Sequence, residues 1–347
     1  MTESPRPRPA TLKDIATAVG VDISTASKVV NGGGISVRPE TRKAILDEAA
    51  RLNYRPHALA RNLRTRRTGA IGVLLPDLTN PIYAATIRGA VRRAEELGYV
   101  TLVAEAQDDA ASASIYSKLV AERRIDGFII AVAAKRDLIA AIDAQPVPHV
   151  FVNRRASIGR SVTVDDEAAA RLAARTLIEA GHKRLGFIGD SDEMDTARRR
   201  RAGFFGEARK AGLPDVVDAV EPYSRRGGFD ACLKLLAAKP RPTGIFASNL
   251  LVGISALAAA RSLGVRVPED LSMVTLDFED ANYSAPPLTA IAMPLDEMGT
   301  LAVEELHAMI EGREPKDVVV DVAPTLISRA SVAPPPKWPD SPADAGQ

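Results

Sequence analysis

The chain has 347 residues, 46% hydrophobic, 26% charged and 4% aromatic, and its 45 Lys and Arg against 44 Asp and Glu leave a net charge of +1. That length and apolar share suit more than one folded domain and exclude low-complexity and collagen-like chains. No apolar stretch approaches the length of a membrane span and the first residues carry no run of signal-peptide type, so a cytoplasmic protein is expected, with no membrane partner. The single cysteine, Cys232, cannot form an internal disulfide and reads as a small apolar residue on a helix.

In chain order, residues 1–10 are rich in proline and polar side chains and read as a disordered end. Leu12 to Asn31 then reads as two short helices joined by a Gly-Val turn. Leu12, Ile15, Ala16 and Val19 recur at i, i+3, i+4 and i+7, one apolar stripe toward a small core. Thr11 and Asp14 have capping-box spacing, Gly20 suits the end of the first helix, and the Asp22 side chain is placed to cap the second. On that second helix Ala26, Val29 and Val30 face inward. Ser24, Thr25, Ser27, Lys28 and Asn31 face away, and short hydroxyls, an amide and one cation can reach base edges and phosphates without holding the backbone off the groove.

Thr41 to Tyr54 is predicted as a third amphipathic helix with Ile45, Ala49 and Leu52 on one side, and Pro39 lies where a first-turn proline is tolerated. The following run RPHALARNLRTRR is basic, with Leu59, Ala60 and Leu63 on a possible helical face. Residues 1–69 hold thirteen Lys and Arg against six Asp and Glu, a net +7 that leaves −6 for the remainder. A basic head on an acidic body is the asymmetry expected when only the head meets phosphates.

With LKDIATAVGVDISTASKVVN, YRPHALARNLR, TGAIGVLLPDLTNPIY, VTVDDEAAARLA, GHKRLGFIGD and LGVRVPEDLSMVTLD in view, the chain from about Leu12 to about Val332 resembles the LacI-type bacterial transcription regulators. The resemblance implies a second helix entering the major groove and a hinge helix that orders on a two-fold operator and wedges a leucine into the minor groove. Carried over, Thr11, Ile23, Ser24, Thr25, Ser27, Lys28, Asn31 and Tyr54 become candidate DNA contacts, with His57, Ala60 and Leu63 in the hinge and Leu63 as the wedge. Asp22 stands where such proteins commonly have Ser, and a carboxylate near phosphate weakens binding unless capping occupies it.

From Thr68 onward the apolar runs AIGVLLP, VTLVAEA, DGFIIAVA, PHVFVN, RLGFIGD, GIFAS and LSMVTLD alternate with helical patterns, the signature of parallel sheets covered on both faces. The resulting fold class is an N-terminal all-α helix-turn-helix domain (11–54), a hinge and linker (55–68) and an α/β periplasmic-binding-protein-like core (69–333), with 334–347 a disordered tail. The resemblance divides the core into two doubly wound lobes, about 69–163 with 296–324, and 164–295 with 325–333, crossing near Val164, Pro294 and Thr325.

Ligands of such sheets sit beyond the carboxyl ends of the strands. Asn80, Tyr83, Asn153, Arg154, Asp165, Asn249 and Asp277 all follow predicted strands. The family's effector cleft adds Thr196, Arg200 and Tyr223, so that amides and a carboxylate bind hydroxyls, arginines fork onto a carboxylate, ring nitrogen or hydroxyl, and tyrosines stack on a ring. Of Arg198 to Arg201, three are expected on a solvated helix face. Leu250 replaces an acidic residue common in relatives and removes an acceptor.

No G-x-G-x-x-G turn, P-loop, nucleophile elbow or H-E-x-x-H is present, and His57, His149, His182 and His307 have no metal-ligand spacing. These observations argue against an enzyme, a metal or a cofactor. The expectation is a homodimeric repressor of a pseudo-palindromic operator, controlled by a sugar or sugar acid between the lobes. A corepressor such as a nucleobase is the alternative, and a solute-binding protein without a DNA role is disfavoured by the basic head.

Overall fold

The computed structural model describes residues 10–30, 35–52, 54, 67–276 and 278–336. The chain divides into two compact units at Thr68 and Gly69. Of the expected disordered ends (1–10 and 334–347), residues 1–9 and 337–347 lie outside the described residues, as do Asn31, Asp277 and the hinge candidates His57, Ala60 and Leu63.

In the first unit α1 (Leu12–Val19), α2 (Ile23–Val30) and α3 (Pro39–Arg51) pack around Ile15, Ala16, Ala26, Val29, Ile45 and Ala49, with Leu52 and Tyr54 against them. The capping box is complete: the Thr11 hydroxyl accepts from the Asp14 amide, and Asp14 Oδ2 accepts from the Thr11 amide at 2.7 Å. Gly20 closes α1 at φ +73°, a left-handed angle that costs glycine little. Asp22 departs from expectation. Its backbone carbonyl accepts from the Thr25 and Ala26 amides, each at 3.0 Å, and the exposed side chain has no capping hydrogen bond among the described residues. The third helix starts two residues earlier than predicted, with Pro39 itself in its first turn.

The second unit holds two six-stranded sheets. The first contains β1 (Ala70–Leu75), β2 (Val100–Glu105), β3 (Gly127–Ile130), β4 (His149–Val152), β5 (Arg160–Thr163) and β11 (Val318–Val319), in the order β11-β5-β4-β3-β1-β2 and parallel throughout. The second contains β6 (Leu185–Gly189), β7 (Val217–Val220), β8 (Gly244–Ala247), β9 (Ser272–Leu276), β10 (Thr289–Ala292) and β12 (Thr325–Ile327), in the order β12-β10-β9-β8-β6-β7. Only β12 runs antiparallel to its neighbour. Central strands such as β1 and β9 are buried almost end to end, which explains their continuous apolar sequences; β2, at an edge, alternates and is largely exposed.

Helices cover both faces of each sheet. On the first, α4 (Pro81–Glu96) and α12 (Leu295–Ile310) pack over one face and α5 (Asp109–Ala121) and α6 (Arg136–Ala144) over the other. On the second, α7 (Asp166–Glu179) and α8 (Asp195–Lys210) oppose α9 (Arg225–Ala237) and α10 (Leu250–Ser262). A short α11 (Glu279–Tyr283) follows β9, and Phe278 before it packs against core residues of both lobes. Gly89 and Gly299 bring α4 and α12 into backbone contact, since a Cβ at Gly299 would overlap the Thr86 carbonyl. The chain changes lobe between β5 and α7, between β10 and α12, and between β11 and β12. Edge strands β7, β11 and β12, and β10 with its run of four, were not among the predicted strands.

Candidate functional site

On α2 the outward face carries exposed Ile23, Ser24 and Lys28, with Thr25 and Ser27 partly covered; Ile23 is 49% exposed. An apolar side chain left this open beside hydroxyls and a cation suits contact with a thymine methyl as well as with polar base edges. Thr11 and Tyr54 are half-buried at the two ends of the three-helix unit.

In the second unit, the carboxyl ends of β1 and β4 face those of β6 and β8 across a cavity of about 370 Å³. Eight residues named from the sequence line it together: Asn80, Tyr83, Asn153, Arg154, Thr196, Arg200, Tyr223 and Asn249. Asn80 and Asn249 cap α4 and α10 through their oxygens, accepting from Ile82 N at 3.4 Å and Leu251 N at 2.9 Å. Capping uses the amide oxygen and leaves each NH₂ to donate. Asp165 does not line the cavity. Its Oδ1 accepts from Ala168 N at 2.8 Å, so it serves as the N-cap of α7.

Arg200 is 1% exposed, its Nε donating to Asp166 Oδ1 at 2.7 Å and its Nη1 to the Ser248 carbonyl at 2.8 Å. Asp166, fully buried, also accepts from Arg199 Nη2 at 2.5 Å, and Arg199 pairs in turn with Asp195. Two guanidinium groups thus balance two carboxylates, as a buried ionic cluster requires. Burial disfavours the charge on Arg200, yet the field and hydrogen bond of Asp166 hold its pKa above the ordinary value. The Tyr223 hydroxyl donates to Ser248 Oγ at 2.9 Å, because Ser248 spends its own proton on the Ile188 carbonyl. Burial raises the Tyr223 pKa against the pull of Arg200, whose guanidinium lies 5.8 Å from the ring centre, so the phenol stays neutral.

The arginine run is less solvated than its sequence suggests: Arg198 is exposed, whereas Arg199 and Arg200 are buried and Arg201 lies over Phe187 and Phe205 while pairing with Asp218. Seven lining residues escaped the sequence reading: Pro76, Asp77, Ile82, Gln107, Asp190, Met194 and Pro222, and of the polar ones Asp77, Gln107 and Asp190 could have been signalled by their position at the ends of predicted strands. Asn153, at φ +64°, turns the chain so that Arg154 enters the cavity, and its Oδ1 is buried without a hydrogen-bond partner. Across the mouth, Arg155 N donates to Asp195 Oδ2 at 3.0 Å, joining the lobes. Among the described residues no His, Cys, Asp and Glu cluster suited to a metal is present, and no helix is long and apolar enough to cross a membrane.

Comparison with known proteins agrees with both units. A model of bacterial regulatory proteins of the lacI family matches residues 11–57, and one of a periplasmic binding protein-like domain matches residues 174–332. The chain is 32% identical over 335 residues to the HTH-type transcriptional repressor PurR of Erwinia tasmaniensis, covering 93% of this chain and 97% of that protein. It is 31% identical over 331 residues to the ribose operon repressor of Escherichia coli K12, covering 93% and 99%. The lac repressor dimer bound to operator and the anti-inducer ONPF superposes with a TM-score of 0.81 at 26% identity, covering 94% of this chain and 100% of that one. The regulator CelR in complex with cellobiose gives 0.70 at 26% identity, covering 93% and 99%. The chain belongs to the LacI family of bacterial regulatory proteins, and it is a DNA-binding transcriptional regulator, not an enzyme.

Proposed function

We propose that this protein is a homodimeric repressor in the cytoplasm that binds a pseudo-palindromic operator and releases it when a sugar or sugar acid enters the cavity between the lobes. The observation that carries this reading is one chain holding both a three-helix unit with an outward polar face on α2 and a lobe-spanning cavity lined by Arg154, Arg200, Tyr223 and Asn249. Thr11, Ile23, Ser24, Thr25, Ser27, Lys28, Asn31 and Tyr54 meet the DNA in this reading, with His57, Ala60 and Leu63 supplied by the hinge. Asn80, Tyr83, Thr196 and Asp277 complete the effector contacts.

Self-association is supported by the edge strand β2, where Val100, Leu102 and Val103 are 64%, 36% and 42% exposed. An apolar sheet edge left this open calls for a partner, and a two-fold protein matches a two-fold site. Effector control needs a coupling of only ~1–3 kcal/mol between the cavity and the head. A corepressor reading is favoured by one observation, the likeness to repressors named PurR.

In vitro selection from random duplex DNA with the full chain tests the proposal. The expected product is a sequence with two inverted half-sites, and Lys28→Ala should weaken binding to it about tenfold or less while lowering the salt slope by about one unit. Recovery of no preferred sequence, or of a single asymmetric half-site bound by a monomer, overturns it.

A further inference from the structure

We infer that the effector carries an oxyanion, a carboxylate or a phosphate on a sugar-derived body, and that Arg154 is the residue that selects it; this rests on the cavity being the effector site. Arg154 is 7% exposed. Its Nε donates to the Ala131 carbonyl at 2.6 Å, which fixes the plane of the guanidinium and aims both terminal nitrogens into the space between the lobes. There Nη1 meets the thioether sulfur of Met194 at 3.0 Å and Nη2 the Tyr83 hydroxyl at 3.3 Å.

Neither neighbour answers a buried positive charge. Sulfur is a weak acceptor, and the phenol contact is long for a charge-assisted bond. Among the described residues Arg154 has no carboxylate partner, in contrast to Arg199 and Arg200, whose charges are matched by Asp166 and Asp195. Among the described residues the carboxylates lining this cavity, Asp77 and Asp190, hydrogen-bond to groups other than Arg154. Asp77 Oδ1 accepts from the Thr79 amide and hydroxyl, each at 2.7 Å. Asp190 accepts from Ser191 N at 2.7 Å and Tyr223 N at 2.9 Å.

A neutral sugar could offer a hydroxyl to each nitrogen but would leave the buried guanidinium without a countercharge. An oxyanion takes both nitrogens at once and neutralises the charge, so it is the ligand that relieves the cost of burying Arg154. Met194 has room to withdraw. It and Arg154 also wall a second cavity of about 450 Å³, where Ala106, Val132 and Ala133 offer apolar surface to a flexible thioether and the lining carboxylates Asp108 and Asp109 accept from backbone amides.

Isothermal titration of the full chain with matched trios tests this: glucose, gluconate and glucose 6-phosphate, then ribose, ribonate and ribose 5-phosphate. In one trio the acid or the phosphate should bind at least tenfold more tightly than the neutral sugar, and which of the two does so identifies the oxyanion. Arg154→Gln should remove that advantage, with an unliganded melting temperature close to that of the parent. Tighter binding of a neutral sugar, or an acid advantage that survives in Arg154→Gln, overturns the inference and leaves the cavity reading standing. A ligand whose affinity changes in neither Arg154→Gln nor Asn249→Ala lies elsewhere and overturns both. Failure of every member to bind overturns the inference for sugar-derived oxyanions.

Discussion

Asp166 holds two cations in the interior, and its removal is the most damaging single change expected in the second unit. With Asp166→Ala, Arg199 would keep Asp195 while Arg200 would be left buried with the Ser248 carbonyl and the Tyr223 phenol but no carboxylate. Breaking such a cluster costs ~3–5 kcal/mol, and urea unfolding should show the midpoint falling accordingly, with Asp166→Asn losing less. A second residue gives the fold a pH dependence. His182 is buried, its Nε2 donating to the Ala333 carbonyl at 3.0 Å, so its Nδ1 accepts from the Thr243 hydroxyl at 2.9 Å. Burial lowers its pKa, against the opposing pull of that carbonyl. The unfolded chain therefore binds the proton first, near pH ~6.5, and the stability contributed by neutral His182 is lost as pH falls below that value. Melting temperatures at pH 7.5 and 5 should differ less in His182→Gln than in the parent; an equal difference would place the titration elsewhere.

At the scale of the element, α2 carries an avoidable repulsion. Because Asp22 is exposed at the start of the helix proposed to enter the major groove and its carboxylate makes no capping bond among the described residues, Asp22→Asn should tighten DNA binding. The gain should be a few-fold at low salt and should shrink as salt rises, as measured by fluorescence anisotropy on the selected operator. Unchanged affinity would show that the α2 start does not approach phosphate. The helices of the second unit are set by closer contacts than periodicity conveys. Gly203 on α8 lies against the backbone at Glu167 on α7, and this approach is what brings Arg199 and Arg200 to Asp166. Nothing in the spacing of four consecutive arginines distinguishes the buried pair from Arg198. Two neighbouring cations are hidden here because α7 supplies Asp166 to both and the first turn of α8 itself supplies Asp195 to Arg199.

For the second unit as a whole, the lobes meet through apolar packing of Phe278 and Met293 and through polar contacts beside the cavity. Arg155 N to Asp195 Oδ2 is one such contact, and Arg199 reaches the Asn153 carbonyl at 3.5 Å as well. Contacts of this kind can be exchanged for others as a ligand enters, which is what a switch built on lobe angle needs. Asp195→Ala should speed hydrogen exchange at the Arg155 amide by roughly tenfold, the equivalent of one net hydrogen bond, while the β1 amides stay protected. Equal protection in the variant would mean that the lobes are held by other contacts.

The head, its capping box, the left-handed Gly20, the central strands and most cavity residues were legible in the sequence, because each depends on local periodicity or on a residue type suited to one backbone geometry. Asn80, Tyr83, Arg154 and Asn249 could be found because strand ends in a parallel sheet converge whatever the details of packing. What only the tertiary structure decided is how those side chains are used. Asp165 turned out to cap α7, Asp166 beside it to neutralise two arginines, and Met194 to stand against Arg154. One-residue differences in direction, and pairings between residues more than thirty positions apart, are set by helix crossings and lobe approach, and these leave no periodic mark on the chain.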